Sequence, residues 1–271
     1  MYSTKIRTIL LANRSLDSIT KRWIQQQSVK PSVAYINSLD AMVKGSRRDG
    51  DILQMDRLGI MATENQTQAV ISVVNPTSTA LTEISGIAWA ANQGYTGDAV
   101  ADCLNTNFIP SSSGVNYTTS SASMGIYTRT EVAGAYVDMG CVDTASSPIN
   151  ATSIIWSRFT GTNLMYFNLN SNNGVGAGSF TNSPSIGMNS VGTVAGTMTG
   201  YHNGASGGTS ANTNYSLSTR SIYLLANNST GVITSFSARQ LSMYWIGGGG
   251  VNHQRWYNRF QLFAVDIGFN V

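Results

Sequence analysis

Charged residues are scarce in this chain, at 11% of its 271 residues, which is less than half of what soluble domains usually contain. No lysine follows Lys44, and the net charge is only +3. A nucleic-acid interface needs a denser basic stripe with interleaved aromatic side chains, so the composition argues against nucleic-acid partners. Five Trp, twelve Tyr and eight Phe argue against disorder. Ser, Thr, Asn and Gly supply the polarity, which suits a protein that packs beside other subunits or faces sugars.

Residues that perform catalysis or bind metals are also few. The only two histidines, His202 and His253, lie far apart in sequence, and no short-spaced set of His, Cys and carboxylates predicts a zinc site. There are thirteen acidic residues, but they form neither the paired-acid strand of sandwich-fold glucanases nor a sialidase Asp-box. Residues 204–208 match G-x-S-x-G, yet no helix pattern follows, so we interpret the match as chance. The sequence predicts no enzymatic activity, no cofactor and no metal.

Long apolar runs and a cleavable leader are both missing. No stretch approaches the roughly 20 apolar residues of a membrane span, and the N-terminus shows no signal-peptide pattern. We therefore expect no membrane partner and synthesis in a reducing compartment. Cys103 and Cys141 are the only cysteines, and in that compartment two thiols are more often buried apolar groups than a disulfide.

The first 57 residues have a helical pattern that differs from the rest of the chain. Asp17 or Ser18 can cap a helix that extends to about Gln27, and Ser32 can cap a second one that ends near Gly45. One amphipathic helix pair cannot form a core by itself, so its apolar face must cover the rest of the protein or a neighbouring subunit. We treat residues 1–57 as a segment for attachment or packing.

Residues 58–271 are expected to form a mostly β domain. About ten short strands with turn signals at roughly 8–15-residue spacing predict an antiparallel two-sheet sandwich. A helix over 252–267, capped by Asn252, follows four consecutive glycines. The predicted strands include 69–74, 104–108, 121–128, 136–141, a hairpin of 153–159 with 164–169, 191–201 before an Asn-Gly turn, 221–225 and 240–246.

Three stretches resemble a known family. Residues 94–98 (GYTGD) and 104–111 (LNTNFIPS) resemble a block found in phage and prophage virion proteins. Residues 237–260 are similar to the closing strand and helix of concanavalin-like (laminin-G-like) jelly rolls, and 35–45 are similar to the helix that precedes the block. The resemblance implies a jelly-roll sandwich of phage tails, fibres or capsid surfaces, without catalytic residues. Gly250–His253 depart from the Leu-Thr that usually begins the family's helix.

The sequence thus favours a bacteriophage virion structural protein, made in the host cytoplasm and docked on the particle through its N-terminal segment. Other virion proteins and further copies of this chain are the expected partners. The predicted interface has buried apolar anchors and a charged rim: Trp23, Ile36, Leu39, Arg47 and Arg48.

The alternative is a module that binds host-surface carbohydrate, and a polysaccharide depolymerase is a third, less favoured reading because acids are sparse. Sugar sites on sandwiches use exposed aromatic rings beside amides and carboxylates. The aromatic candidates in or beside loops are Trp89, Tyr95, Tyr117 and Tyr201.

Overall fold

A computed structural model describes residues 16–144, 151–171, 178–211 and 216–271. Its helices are α1 (Ser18–Gln26), α2 (Val33–Asp49), α3 (Gln66–Ala69), α4 (Pro110–Ser113) and α5 (His253–Ile267), with a 3-10 turn at Ile52–Gln54. Within the described residues no helix is both long and apolar enough to cross a membrane.

Seventeen strands are present in the described residues. They are β1 (Met55–Ile60), β2 (Thr82–Ile84), β3 (Ala88–Ala90), β4 (Gly94–Thr96), β5 (Cys103–Asn105), β6 (Ser121–Thr128), β7 (Met139–Asp143), β8 (Ala151–Trp156), β9 (Leu164–Ser171), β10 (Gly178–Thr181), β11 (Gly187–Val194), β12 (Thr197–His202), β13 (Ala205–Ala211), β14 (Tyr223–Leu224), β15 (Asn227–Ser229), β16 (Val232–Thr234) and β17 (Gln240–Gly247).

The strands form two sheets that pack face to face. Sheet A has the order β13-β12-β11-β6-β17-β4-β3, and β1 pairs with β17 beside β4. Sheet B has the order β10-β9-β8-β7-β14-β5-β2, and β15 and β16 join it through β7. All pairings are antiparallel except that of β15 with β7. The predicted fold class, a mostly β antiparallel sandwich with a C-terminal helix, is confirmed.

Turn chemistry explains where several strands end. Asn203 and Gly204 have φ of +49° and +82° between β12 and β13, which is the conformation of a type I′ hairpin. Ala195 and Gly196 also have positive φ, and they divide the continuous strand predicted over 191–201 into β11 and β12. That second hairpin has no Asn-Gly signal, so the sequence did not predict it.

Two local predictions are wrong. Residues 69–74 do not form a strand, because the Asn65 side chain caps the short helix α3 and the following chain is irregular. Gly45 does not end α2, which continues to Asp49 and terminates at Gly50, where φ is +86°. Gly45 instead permits close helix packing, since a Cβ there would lie 3.0 Å from Nε of Arg259 in α5.

Two hydrophobic clusters stabilise the sandwich. One lies between the sheets and includes Met124, Ile155, Phe167 and Leu224. The other lies between the outer face of sheet A and the helices α1, α2 and α5. Because β1 contributes to this second cluster, the predicted boundary at residue 57/58 falls inside a strand that contacts both the helices and the sheet.

Candidate functional site

The outer face of sheet B displays an aromatic cluster that we call the hairpin platform: Trp156, Phe159 and Tyr166. Their ring centroids lie 5.5–5.8 Å apart, and Tyr166 meets both other rings nearly edge-on, at 87° and 85°. Val137 and Ile154 lie beside them in the same cluster. Trp156 is 7% exposed, whereas Phe159 and Tyr166 are half-buried.

The β8–β9 hairpin positions these rings. Trp156 of β8 is the direct cross-strand partner of Tyr166 of β9. Their neighbours Ile155 and Phe167 belong to the core between the sheets, so strand alternation turns Trp156 and Tyr166 to the outside. Phe159 follows β8, where its backbone N–H donates to Leu164 O at 2.8 Å and closes the hairpin around the platform.

Polar groups border the platform on one side. Arg158 donates from Nε and Nη2 to Asn163 Oδ1 at 2.9 and 2.7 Å and forms an ion pair with Glu131. The Glu131 carboxylate also accepts from Ser185 N at 2.6 Å. Burial alone would raise the pKa of Glu131, but the bonds from Ser185 and Arg158 outweigh it and hold that pKa below its usual value. The rim therefore offers a fixed carboxylate, a guanidinium and an amide beside apolar rings.

The proposed glycan residues Tyr95 and Tyr117 are wrong, because both are buried core residues. The Tyr95 hydroxyl donates to Glu83, and the Tyr117 hydroxyl donates to Asn170 Oδ1 at 3.0 Å. Burial raises the pKa of both phenols far above the ordinary value.

Trp89 and Tyr201 keep partial exposure, but they lie apart from the platform. The indole Nε1 of Trp89 donates to Met61 O at 3.0 Å, and the ring packs on the core between the sheets. Tyr201 stacks on His253 with a centroid distance of 3.9 Å and an interplanar angle of 8°. One face of the Tyr201 ring is thereby already covered.

Some of the predicted interface residues are buried inside this chain, and others are exposed. Trp23 and Leu39 are 0% exposed and contact this chain's own sheet and helices, so the expectation that they anchor a partner is wrong. Ile36 is half-buried. Arg47 and Arg48 are exposed; Arg47 contacts Asp17 at 3.0 Å across the start of α1.

The platform residues were missed, although the sequence contains a signal for them. The predicted hairpin of 153–159 with 164–169 places Trp156 three residues and Tyr166 two residues from its turn, so the two rings are near neighbours across the strands, and the observed register pairs them directly. Cross-strand aromatic pairs outside a predicted core indicate a surface cluster, whereas aromatic residues near loops do not.

Within the described residues, no group of three or more His, Cys, Asp or Glu side chains could hold a metal. Cys103 and Cys141 are free and buried, on strands that flank β14 on opposite sides. Two strand spacings separate them by roughly 10 Å, which is beyond the reach of a disulfide.

No family model and no curated protein matches the sequence. Solved structures do match. A mutant Trypanosoma rangeli sialidase with trans-sialidase activity has a TM-score of 0.51 at 7% identity, over 88% of this chain and 40% of that one. The same sialidase with 2,3-difluorosialic acid has a TM-score of 0.49 at 9% identity, over 86% and 40%. The NanB sialidase from Streptococcus pneumoniae has 0.35 at 9% identity, over 47% and 22%.

At these identities the likeness shows the fold alone, a β-sandwich. This chain spans about two fifths of the length of the Trypanosoma rangeli sialidase. None of these matches points to a bacteriophage protein, so the assignment to a particle rests on the sequence resemblance.

Proposed function

We propose that this protein is a non-catalytic carbohydrate-binding module displayed on a virus particle, and that the hairpin platform is its sugar site. The observation on which the proposal depends is the partly exposed aromatic cluster Trp156, Phe159 and Tyr166, which lies on the outer face of sheet B, where none of the described helices covers it.

The chemistry of the platform suits a sugar. Aromatic rings with accessible edges and faces pack against the apolar C–H surface of a pyranose, while a few fixed polar groups bond its hydroxyls. Glu131 and Arg158 beside the rings provide an acceptor and donors whose geometry their mutual ion pair fixes. Since this pairing is already made in the free protein, a ligand meets a preorganised site and binding orders few side chains.

Display on a particle is supported by the resemblance of residues 94–98 and 104–111 to phage virion proteins and by the low charge of the chain. Attachment through Trp23 and Leu39 is not part of the proposal, because those side chains are internal. Any attachment surface has to use exposed groups, such as Arg47 and Arg48 on α2.

A glycan array followed by titration calorimetry tests the sugar site. Phe159→Ala and Tyr166→Ala should each weaken binding of the best array ligand about tenfold or more, equivalent to about 1.4 kcal/mol. Tyr257→Ala is the matched control, because Tyr257 is a half-buried aromatic residue on α5, away from sheet B. Equal binding by all three variants, or an array without a ligand, would contradict the sugar site.

Mass spectrometry of purified particles tests the display. The protein should be present in stoichiometric amounts, and antibodies against it should bind intact particles. If the protein is absent from particles that bind the same glycan, its display on the particle is contradicted, whereas the proposed sugar site is not affected.

A further inference from the structure

The charged groups at the rim of the hairpin platform neutralise each other. Glu131 forms an ion pair with Nη1 of Arg158, and its Oε2 accepts from both the backbone N–H and the hydroxyl of Ser185, at 2.6 and 3.0 Å. The other edge of the Arg158 guanidinium, formed by Nε and Nη2, donates to Oδ1 of Asn163. Both charges are therefore held by partners within the chain, and together they give the rim no net charge.

An acidic sugar would have to compete for this guanidinium. Its carboxylate or sulfate would either displace Glu131 from Arg158 or lie beside it, and both arrangements bring two like charges together around one cation. The side chains of Arg158 and Glu131 are only 20% and 32% exposed, so solvent screens these charges less than it screens a fully exposed pair. The rim therefore disfavours anionic ligands.

Arg220 forms no ion pair with another described residue, but its guanidinium lies away from the platform. Nη1 of Arg220 lies against Gly231, and the backbone N–H that precedes this glycine donates to Val142 O near the end of β7. The start of β7 is the part beside the platform, because Met139 pairs with the residue that precedes Trp156. These two parts of β7 are three residues, roughly 10 Å, apart, so Arg220 does not belong to the rim.

Asn163 supplies the rim with a neutral donor. It is exposed in the turn between β8 and β9, where its φ is +55°. Because its Oδ1 accepts two bonds from Arg158, the orientation of the amide is fixed, and Nδ2 has no bond to another described residue. On the other side of the same guanidinium, Glu131 is a fixed acceptor. One donor and one acceptor held by a single arginine match the hydroxyls of a neutral sugar, each of which can donate and accept.

We propose that the hairpin platform binds neutral pyranosides and rejects their sialylated, sulfated and uronic acid counterparts. This ligand class rests on the sugar site proposed above. Phe159 and Tyr166 pack on the C–H face of the pyranose, the Asn163 amide donates to one of its hydroxyls, and the Glu131 carboxylate accepts from another. Arg158 holds the two polar groups in place and offers no free charge to the ligand.

Pairs of glycans that differ only in an acidic group test the ligand class. An array that presents each neutral glycan beside its sialylated, sulfated or uronic acid counterpart selects the pair with the strongest signal, and calorimetry on the intact chain then gives both dissociation constants. The neutral member should bind about tenfold more tightly or better. Its Kd should change less than about twofold between low and high salt, because no ion pair with the ligand is formed.

Two variants at the rim should change the preference in different ways. Glu131→Gln leaves the Arg158 cation uncompensated, so it should strengthen binding of the acidic member about tenfold. Asn163→Asp keeps the shape of the side chain but replaces the donor by an acceptor, so it should weaken binding of the neutral member about tenfold. Arg220→Gln is the matched control, since it removes a cation away from the rim, and it should change neither constant. If one rim variant does not fold, the other and the salt dependence still decide.

Tighter binding of the acidic member by the wild-type chain would overturn the ligand class. If Phe159→Ala then abolishes that binding, the sugar site is correct and only its ligand class is wrong. An array without any ligand would contradict the sugar site and the ligand class together.

Discussion

The two sheets of this sandwich differ in what covers their outer faces. The outer face of sheet A lies under α1, α2 and α5, and the rings there, such as Trp245 and Trp256, are 0% exposed. The outer face of sheet B has no helix over it in the described residues, and its ring cluster is small and partly exposed. Both faces are aromatic, yet only one is available to a ligand.

Aromatic content alone therefore does not distinguish a sheet face that belongs to the core from one that a ligand can reach. The helix layer is held by polar contacts as well as apolar ones, since Arg255 of α5 donates to Asp51 at 2.7 Å from two nitrogens. The Asp51 carboxylate is fully buried and also accepts from Asn252 N, the residue that caps α5. These contacts fix the helices on sheet A, whereas none of the described helices lies over the outer face of sheet B.

The largest effect on stability should come from removing one ring from the helix layer, which consists of α1, α2 and α5 on sheet A. Trp256→Ala removes a fully buried ring that contacts Trp245 and Phe260 with centroids 6.2 and 6.0 Å away. We expect a loss of about 3–5 kcal/mol in the free energy of unfolding, measured by urea denaturation. The adjacent, half-buried Tyr257→Ala should lose far less. A loss under about 1 kcal/mol for Trp256→Ala would place the stripe of α5 outside the core.

An intermediate effect should appear with pH, again in the helix layer. Burial lowers the pKa of His253 to about 3, and Ser190 Oγ lies 2.8 Å from its Nδ1. The unfolded chain takes up a proton near pH 6.5, so stability is fully present above that pH and falls towards pH 3. When the pH falls from 6.5 to 5, the contribution of His253 should lower the free energy of unfolding by about 1.5 kcal/mol.

Urea titrations at several pH values check this window, which lies above the range of most carboxylates. His253→Gln should make the free energy of unfolding depend less steeply on pH in this window. His202 is the control. Burial also lowers its pKa, but the Glu131 carboxylate opposes that effect, so His202→Gln should change the dependence on pH less. An unchanged slope in His253→Gln would mean that the ring is accessible to protons in the folded state.

The smallest effect on stability should come from the open face. Phe159→Ala and Tyr166→Ala remove half-buried rings, so each should cost about 1 kcal/mol in unfolding free energy, comparable to one aromatic pair. Thermal unfolding measures this beside the binding assay. A cost as large as that of Trp256→Ala would show that the platform is structural and would weaken its assignment as a ligand site.

Local chemistry made part of this structure predictable. Ser32 and Asn252 cap their helices through side-chain oxygens, as the sequence predicts, and Asp17 is the cap among the two candidates Asp17 and Ser18, because capping depends on only a few neighbouring residues. Strand β6 matches the predicted 121–128, and the Asn203-Gly204 hairpin follows from positive φ at those two residues.

Tertiary packing decided the rest. Whether a ring lies in the core or near the surface depends on which side of its sheet it faces: Tyr95 faces the space between the sheets, whereas Tyr166 faces the outer side of sheet B. The burial of Trp23 depends likewise on residues distant in sequence. The sequence by itself determined the fold class and most element types, because propensity, caps and turns act locally. Only the tertiary structure decided which rings are buried and which are partly exposed, because burial results from contacts across the whole chain.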